Sequence, residues 1–217
     1  MFTGHFAAAI AAKAVAPRAP LWLYVGASQL IDMIWAGLII GGVEKVGFDE
    51  TLPGSPLDLY YMPYTHSLPA AIGWAVLAIL VARRWWPGGT AAMVGLVVFS
   101  HWLTDLLVHR LDLPLGLTGP KLGLGMWNYP VAAMALDIGV LGLATALWTA
   151  QRVRARQSAW PALVFLGFLT GLQIVAITGA GVTDVDALCQ SALLAIGVVM
   201  LVAWGVDRGK PARSGLR

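Results

Sequence analysis

The sequence predicts an all-α, polytopic integral membrane protein: a bundle of about six transmembrane helices with a short helix ahead of them. Three observations carry this. The chain is 59% hydrophobic and only 12% charged, with a mean hydropathy of +0.76, whereas a soluble domain is about 25% charged. Its apolar residues fall into Ala-, Leu-, Gly- and Val-rich runs of the roughly 20 residues that a helix needs to cross a bilayer. A membrane β-barrel would instead show alternating segments of about 10 residues. Lys and Arg also divide very unequally between alternate loops.

In chain order, residues 2–16 are Ala-rich and helix-prone, and Pro17 and Pro20 end them. No basic stretch precedes the apolar residues, so a cleaved leader is not indicated. This reads as a retained helix, too short to span, packing against the bundle from the outer side. Six longer apolar segments follow, at about 21–43, 66–82, 89–110, 128–150, 160–181 and 186–206. Together with the first helix they make one membrane-embedded domain, 1–206. Residues 207–217 are a polar tail. Frequent Gly and Ala let the helices approach closely. Gln173 and Gln190 read as interhelical hydrogen-bond partners, and Ser67 reads as a helix N-cap. The single cysteine, Cys189, allows no disulfide within the chain. No basic patch carries interleaved aromatics, so nucleic acid is not an expected partner.

With six spans, one set of loops and ends holds Lys13, Arg18, Arg83, Arg84, Arg152, Arg154, Arg156, Arg208, Lys210, Arg213 and Arg217. The other holds only Lys45, Arg110 and Lys121. By the positive-inside rule the first set is cytoplasmic, the C-terminus included, and residues 44–65 and 111–127 lie outside.

That orientation gathers the polar residues. Ser100-His101-Trp102-Leu103-Thr104-Asp105-Leu106-Leu107-Val108-His109 is apolar enough for a membrane yet carries His-x3-Asp-x3-His. Offsets of four and eight residues rotate by about 40° and 80° on a helix, so His101, Asp105 and His109 share one face. Asp112 would rejoin that face if the helix continued, but Pro114 stops it. His109 falls at the outer end of its span and His101 about 12 Å deeper. His66 opens the preceding span from the outer side. Asp32 lies near the middle of the first, with Gln29 three residues earlier. His5 also falls on the outer side.

Interfacial histidines are often merely hydrated, which is the plain reading of His5 and His66 taken singly. A mid-span carboxylate is different, because burying its charge costs roughly 2.5–3.5 kcal/mol on insertion scales. Imidazole and carboxylate together suit a divalent metal, zinc above all. Asp105 and Asp32 are each candidates for ligand or general base. The outer segments 58–67 and 119–128 read either as an interfacial aromatic belt or as a lid, with Lys121 available to an anionic substrate group. Asp137 could reach the site or a neighbouring helix.

Gly4-His5, Asp32, Thr65-His66-Ser67 and Ser100-His101-x3-Asp105, in this order, resemble the LexA-regulated, inner-membrane-associated metal-dependent hydrolase family of bacteria and archaea. The resemblance covers about residues 1–130. It implies a multi-pass protein of the bacterial inner membrane with a metal site at His5, Asp32, His66, His101 and Asp105. The chain departs from that pattern in having Pro63-Tyr64 where the family commonly has Arg-Gly, and in adding His109 and the 121–128 loop. The expected function is metal-dependent hydrolysis, by one ion or a pair, of a lipid or lipid-linked phosphoester. A proton- or metal-ion-coupled transporter and a non-catalytic membrane subunit are the alternatives.

Overall fold

The computed structural model describes residues 3–178, 182 and 184–208. Eight helices dominate: α1 (His5–Val15), α2 (Leu21–Ser28), α3 (Leu30–Ile40), α4 (Leu68–Ala82), α5 (Gly88–Val108), α6 (Pro130–Arg154), α7 (Trp160–Thr178) and α8 (Val185–Asp207). Two small antiparallel hairpins occupy connections, β1 (Lys45–Phe48) with β2 (Leu57–Tyr61) and β3 (Leu113–Pro114) with β4 (Lys121–Leu122). The architecture is therefore mostly helical, as expected, with strands only where helices end. Of the polar tail expected at 207–217, residues 209–217 lie outside the described residues.

Among the described residues, α5, α6, α7 and α8 are each long and apolar enough to cross a membrane. Segment 21–43 is broken into α2 and α3, which meet at 50° and count as a fifth span if taken together. The break falls at Gln29, whose φ of −112° and ψ of 6° are not helical. Segment 66–82 gives the 15-residue α4, about 22 Å long against a hydrocarbon core of about 30 Å. It starts late because Ser67 is extended and caps it. The Ser67 side chain accepts from the Ala70 amide, and proline sits in the first turn, where its missing N–H is harmless.

The short first helix does not lie on the outside of the bundle. His5, Phe6, Ala7, Ala9, Ile10, Ala12 and Lys13 are buried, and α1 packs against α6, α2 and α5. Alanine explains the position, since a methyl side chain lets a helix be surrounded without holding its neighbours apart. Both ends are tied. Thr3 Oγ1, in the turn before α1, donates to Gln173 Oε1 on α7 at 2.9 Å, so that glutamine, expected to bond between helices, holds the segment leading into one. Lys13 Nζ donates to the Pro17 and Ala19 carbonyls and pairs with Asp207 Oδ2 at 2.9 Å. Asp207 Oδ2 also accepts from the Leu21 amide, so one carboxylate joins the end of α8 to α1 and to the start of α2.

Helices α4 and α5 form the closest hairpin. A Cβ at Gly95 would strike Ile79 and come within 2.8 Å of the Ala75 carbonyl oxygen. Beyond the end of α5 the connections fold into one cap. The Arg110 guanidinium donates to the Pro53 and Ser55 carbonyls and to Asn128 Oδ1. Lys121 Nζ donates to the Tyr60 carbonyl at 2.9 Å, which joins the two hairpins. Gly123 adopts a φ of +151°, and a Cβ there would run into the Arg110 and His109 carbonyls. This close approach lets Leu124 and Gly125 donate to the Leu106 and His109 carbonyls, closing the open end of α5.

Asp207→Asn is expected to destabilise the protein by about 3 kcal/mol, because it leaves a largely buried ammonium without its counter-charge. The double variant Lys13→Met/Asp207→Leu should recover much of that loss. Unfolding in mixed detergent micelles reads both; equal stability of Asp207→Asn and the parent would show that the pair does not tie the helices.

Candidate metal centre

The histidines and carboxylates singled out from the sequence converge between α1, α3, the start of α4 and the end of α5. Asp105 is at their centre, with its side chain 3% exposed. Its Oδ1 lies 3.2 Å from His5 Nε2 and 3.6 Å from His109 Nε2. Its Oδ2 lies 3.2 Å from His101 Nε2 and 3.6 Å from His66 Nε2. Asp32 Oδ1 completes the group, 3.3 Å from His101 Nε2 and 3.4 Å from His66 Nε2. Asp32 is the accessible member, its side chain 34% exposed. The His5 and His101 rings stack 3.9 Å apart and nearly parallel.

Each imidazole is held from behind by its other nitrogen. His101 Nδ1 is 2.8 Å from the Ser28 carbonyl, which can only accept, so Nδ1 carries the proton. That carbonyl lies at the break between α2 and α3, so the irregularity that splits the first span also orients a site residue. His109 Nδ1 faces Asp112 Oδ1 at 2.8 Å. Helix α5 ends at Val108, and extended backbone at His109 (φ −60°, ψ 148°) brings Asp112 back by a turn rather than along the helix. The His109 ring also lies 4.5 Å from that of Trp127 in the cap.

His5 Nδ1 meets Thr104 Oγ1 at 2.6 Å. That hydroxyl has the Ser100 and His101 carbonyls to donate to, so it can accept from His5. His66 is backed by a relay. Its Nδ1 is 2.8 Å from Thr65 Oγ1, which donates to Glu44 Oε2 at 2.5 Å. Glu44 Oε1 accepts the Tyr64 and Thr65 amides. Glu44 is 1% exposed, a buried carboxylate satisfied by three donors. Trp102 Nε1 donates to the His66 carbonyl and fixes this turn to α5.

The four Nδ1 atoms therefore donate outward and the four Nε2 atoms present lone pairs inward, toward carboxylate oxygens. Metal-binding histidines in proteins are oriented in this way. Among the inward atoms, His101 Nε2 and Asp105 Oδ2 are buried and make no hydrogen bond, although they are 3.2 Å apart. They are close without being aligned as donor and acceptor. Among the described residues, two sets could hold a metal ion: His5, His101 and Asp105, and Asp32, His66 and His101, each with its ligand atoms within 4.8 Å of one another.

Lys121 does not join this group, since its ammonium is given to the Tyr60 carbonyl in the cap. Asp137 is buried on α6. The residues that sequence reading missed are those behind the ligands: Ser28, Thr104 and Glu44. Glu44 reads as an ordinary loop acid, and only the fold of 41–65 carries it to Thr65. Thr104 alone had a local signal, standing three residues after His101 inside the motif. No family model, no curated protein and no solved structure matches the chain.

Thr65→Val is expected to weaken zinc binding roughly 10–100-fold, the usual effect of losing a group that orients a metal-binding histidine. Thr65→Ser, which keeps the hydroxyl, should retain most of the affinity. Competition with a chromophoric chelator reads both. Equal affinities for Val and Ser would mean that the relay does not orient His66.

Proposed function

We propose that this protein is a metal-dependent hydrolase of a bacterial inner membrane, holding zinc in the outer half of the bilayer. The single observation that supports it best is the inward convergence of four imidazole Nε2 atoms on two carboxylates in a largely water-free interior. An unpaired carboxylate there is costly, and a divalent cation between the imidazole lone pairs and the carboxylates would neutralise it. His5, His66, His101, His109, Asp32 and Asp105 would hold the metal. When bound, a divalent ion would lower the pKa of a water and polarise an ester or phosphoryl oxygen.

The roles divide by exposure. Asp105, enclosed by histidines, serves as ligand. Asp32, at the accessible edge, is the ligand that incoming solvent meets first. The cap covers the outer end through Trp127 and His109, while Lys121 holds its two hairpins together. Because the site lies among membrane helices, the substrate class is a lipid or lipid-linked phosphoester.

In this reading six segments cross the bilayer. The bent α2–α3 forms the first, and α4, with the turn before it, forms the second. The C-terminus is cytoplasmic and the cap faces outward. Phe48→Cys and Ala155→Cys, each in a Cys189→Ser background, test the orientation: an impermeant maleimide applied to intact cells should label position 48 and spare position 155. The reverse pattern would invert the topology and place the site on the cytoplasmic side.

Activity is tested by screening the purified protein against phosphoester and carboxyl ester lipids, with and without added zinc. Turnover should require the metal. His101→Ala and Asp105→Ala should lose both bound metal and turnover, while Gln173→Ala should keep them. Stoichiometric metal without turnover on any substrate would count against the hydrolase reading.

A further inference from the structure

Asp105 faces two different pairs of histidines with its two oxygens. Oδ1 stands between His5 and His109, and Oδ2 between His66 and His101. Zinc binds imidazole and carboxylate at about 2.0–2.1 Å, so two ligands of one tetrahedral ion stand about 3.3 Å apart. The observed separations, from 3.2 to 3.6 Å, fit tetrahedron edges. They are longer than the 2.6–2.8 Å contacts that the same rings make through Nδ1.

We infer that the centre holds two divalent ions bridged by Asp105, an inference that rests on the metal-binding reading above. One ion takes His66, His101, Asp32 Oδ1 and Asp105 Oδ2, which is four protein ligands. The other takes His5, His109 and Asp105 Oδ1, which is three; this divides the His5, His101 and Asp105 set, because His101 Nε2 also faces Asp32 and is given to the first ion. Zinc with four protein ligands is closed, whereas three leave a position for water or substrate. The three-ligand ion is therefore the reactive one, and it sits on the side of His109 and the Trp127 cap.

A single ion accounts for the geometry less well. A tetrahedral ion uses four of the six inward-facing residues; if both carboxylates are among them, two imidazoles stay outside its coordination and must take up a proton on Nε2 to face a carboxylate. His101 cannot relieve this by serving both sets, because its Nε2 has one lone pair. The outward hydrogen bonds of all four rings make a change of tautomer costly, since each Nδ1 would lose its acceptor.

The test uses the full chain in detergent, stripped with chelator and dialysed against Zn²⁺ or Mn²⁺. Elemental analysis should give two ions per chain. Loaded with Mn²⁺, the protein should show the spin-coupled electron paramagnetic resonance spectrum of a carboxylate-bridged pair, with halved hyperfine spacing. His109→Ala should retain one ion and lose the coupling. One ion per chain in the unmutated protein would overturn the two-ion centre and leave the metal-binding reading standing. No bound ion would overturn both. Two ions without coupling, or two retained in His109→Ala, would overturn the assignment of Asp105 as the bridge. The parent protein answers the main question even if the variant fails to fold.

Discussion

The structure is arranged around the charge of one buried carboxylate. Asp105 sits on a helix long and apolar enough to cross a membrane and is almost fully enclosed. Its environment must supply positive charge, and Arg110, the cation five residues on in sequence, is turned into the cap. What surrounds Asp105 instead is imidazole on every side. Four elements contribute a ring or a carboxylate: α1 gives His5, α3 gives Asp32, the start of α4 gives His66, and α5 with its cap gives His101 and His109.

Regular helices alone could not satisfy this arrangement, because a helix uses its own carbonyls and leaves few acceptors for side chains. The chain is irregular where the imidazoles need partners. The break at Gln29 places the Ser28 carbonyl opposite His101. The early end of α5 lets Asp112 turn back to His109. The late start of α4 leaves residues 63–67 in a turn, where Glu44 and Thr65 support His66. Each of these departures from helix has an acceptor for a site histidine beside it.

The bundle is correspondingly economical elsewhere. Small residues bring α4 and α5 together at Gly95 and allow α1 to run through the interior. The cap is fastened by Arg110 and Lys121, two of the three cations of the loops proposed to face outward. The third, Lys45, opens β1, the strand that leads the cap. The lysine at the other end of α1 is committed to Asp207, so the histidine end and the lysine end of one short helix are both anchored.

Composition and run length determined by themselves that the chain is helical and apolar enough for a membrane, because desolvating a backbone leaves few alternatives to helices of that length. Spacing determined that His101 and Asp105 share a helix face, since i and i+4 are neighbours whatever the tertiary structure. Order along the chain singled out His5, Asp32 and His66, each a polar residue in an apolar context. Only the tertiary structure decided the rest. The bend at Gln29 has no local breaker residue to mark it, whereas the late start of α4 was already legible in Ser67. Burial of α1 depends on three other helices leaving room for it. The pairing of Glu44 with Thr65 across 21 residues, and the division of the Asp105 oxygens between two pairs of histidines, are long-range geometry. Periodicity reports which face of a helix a residue occupies. It carries no information about which other element that face will meet.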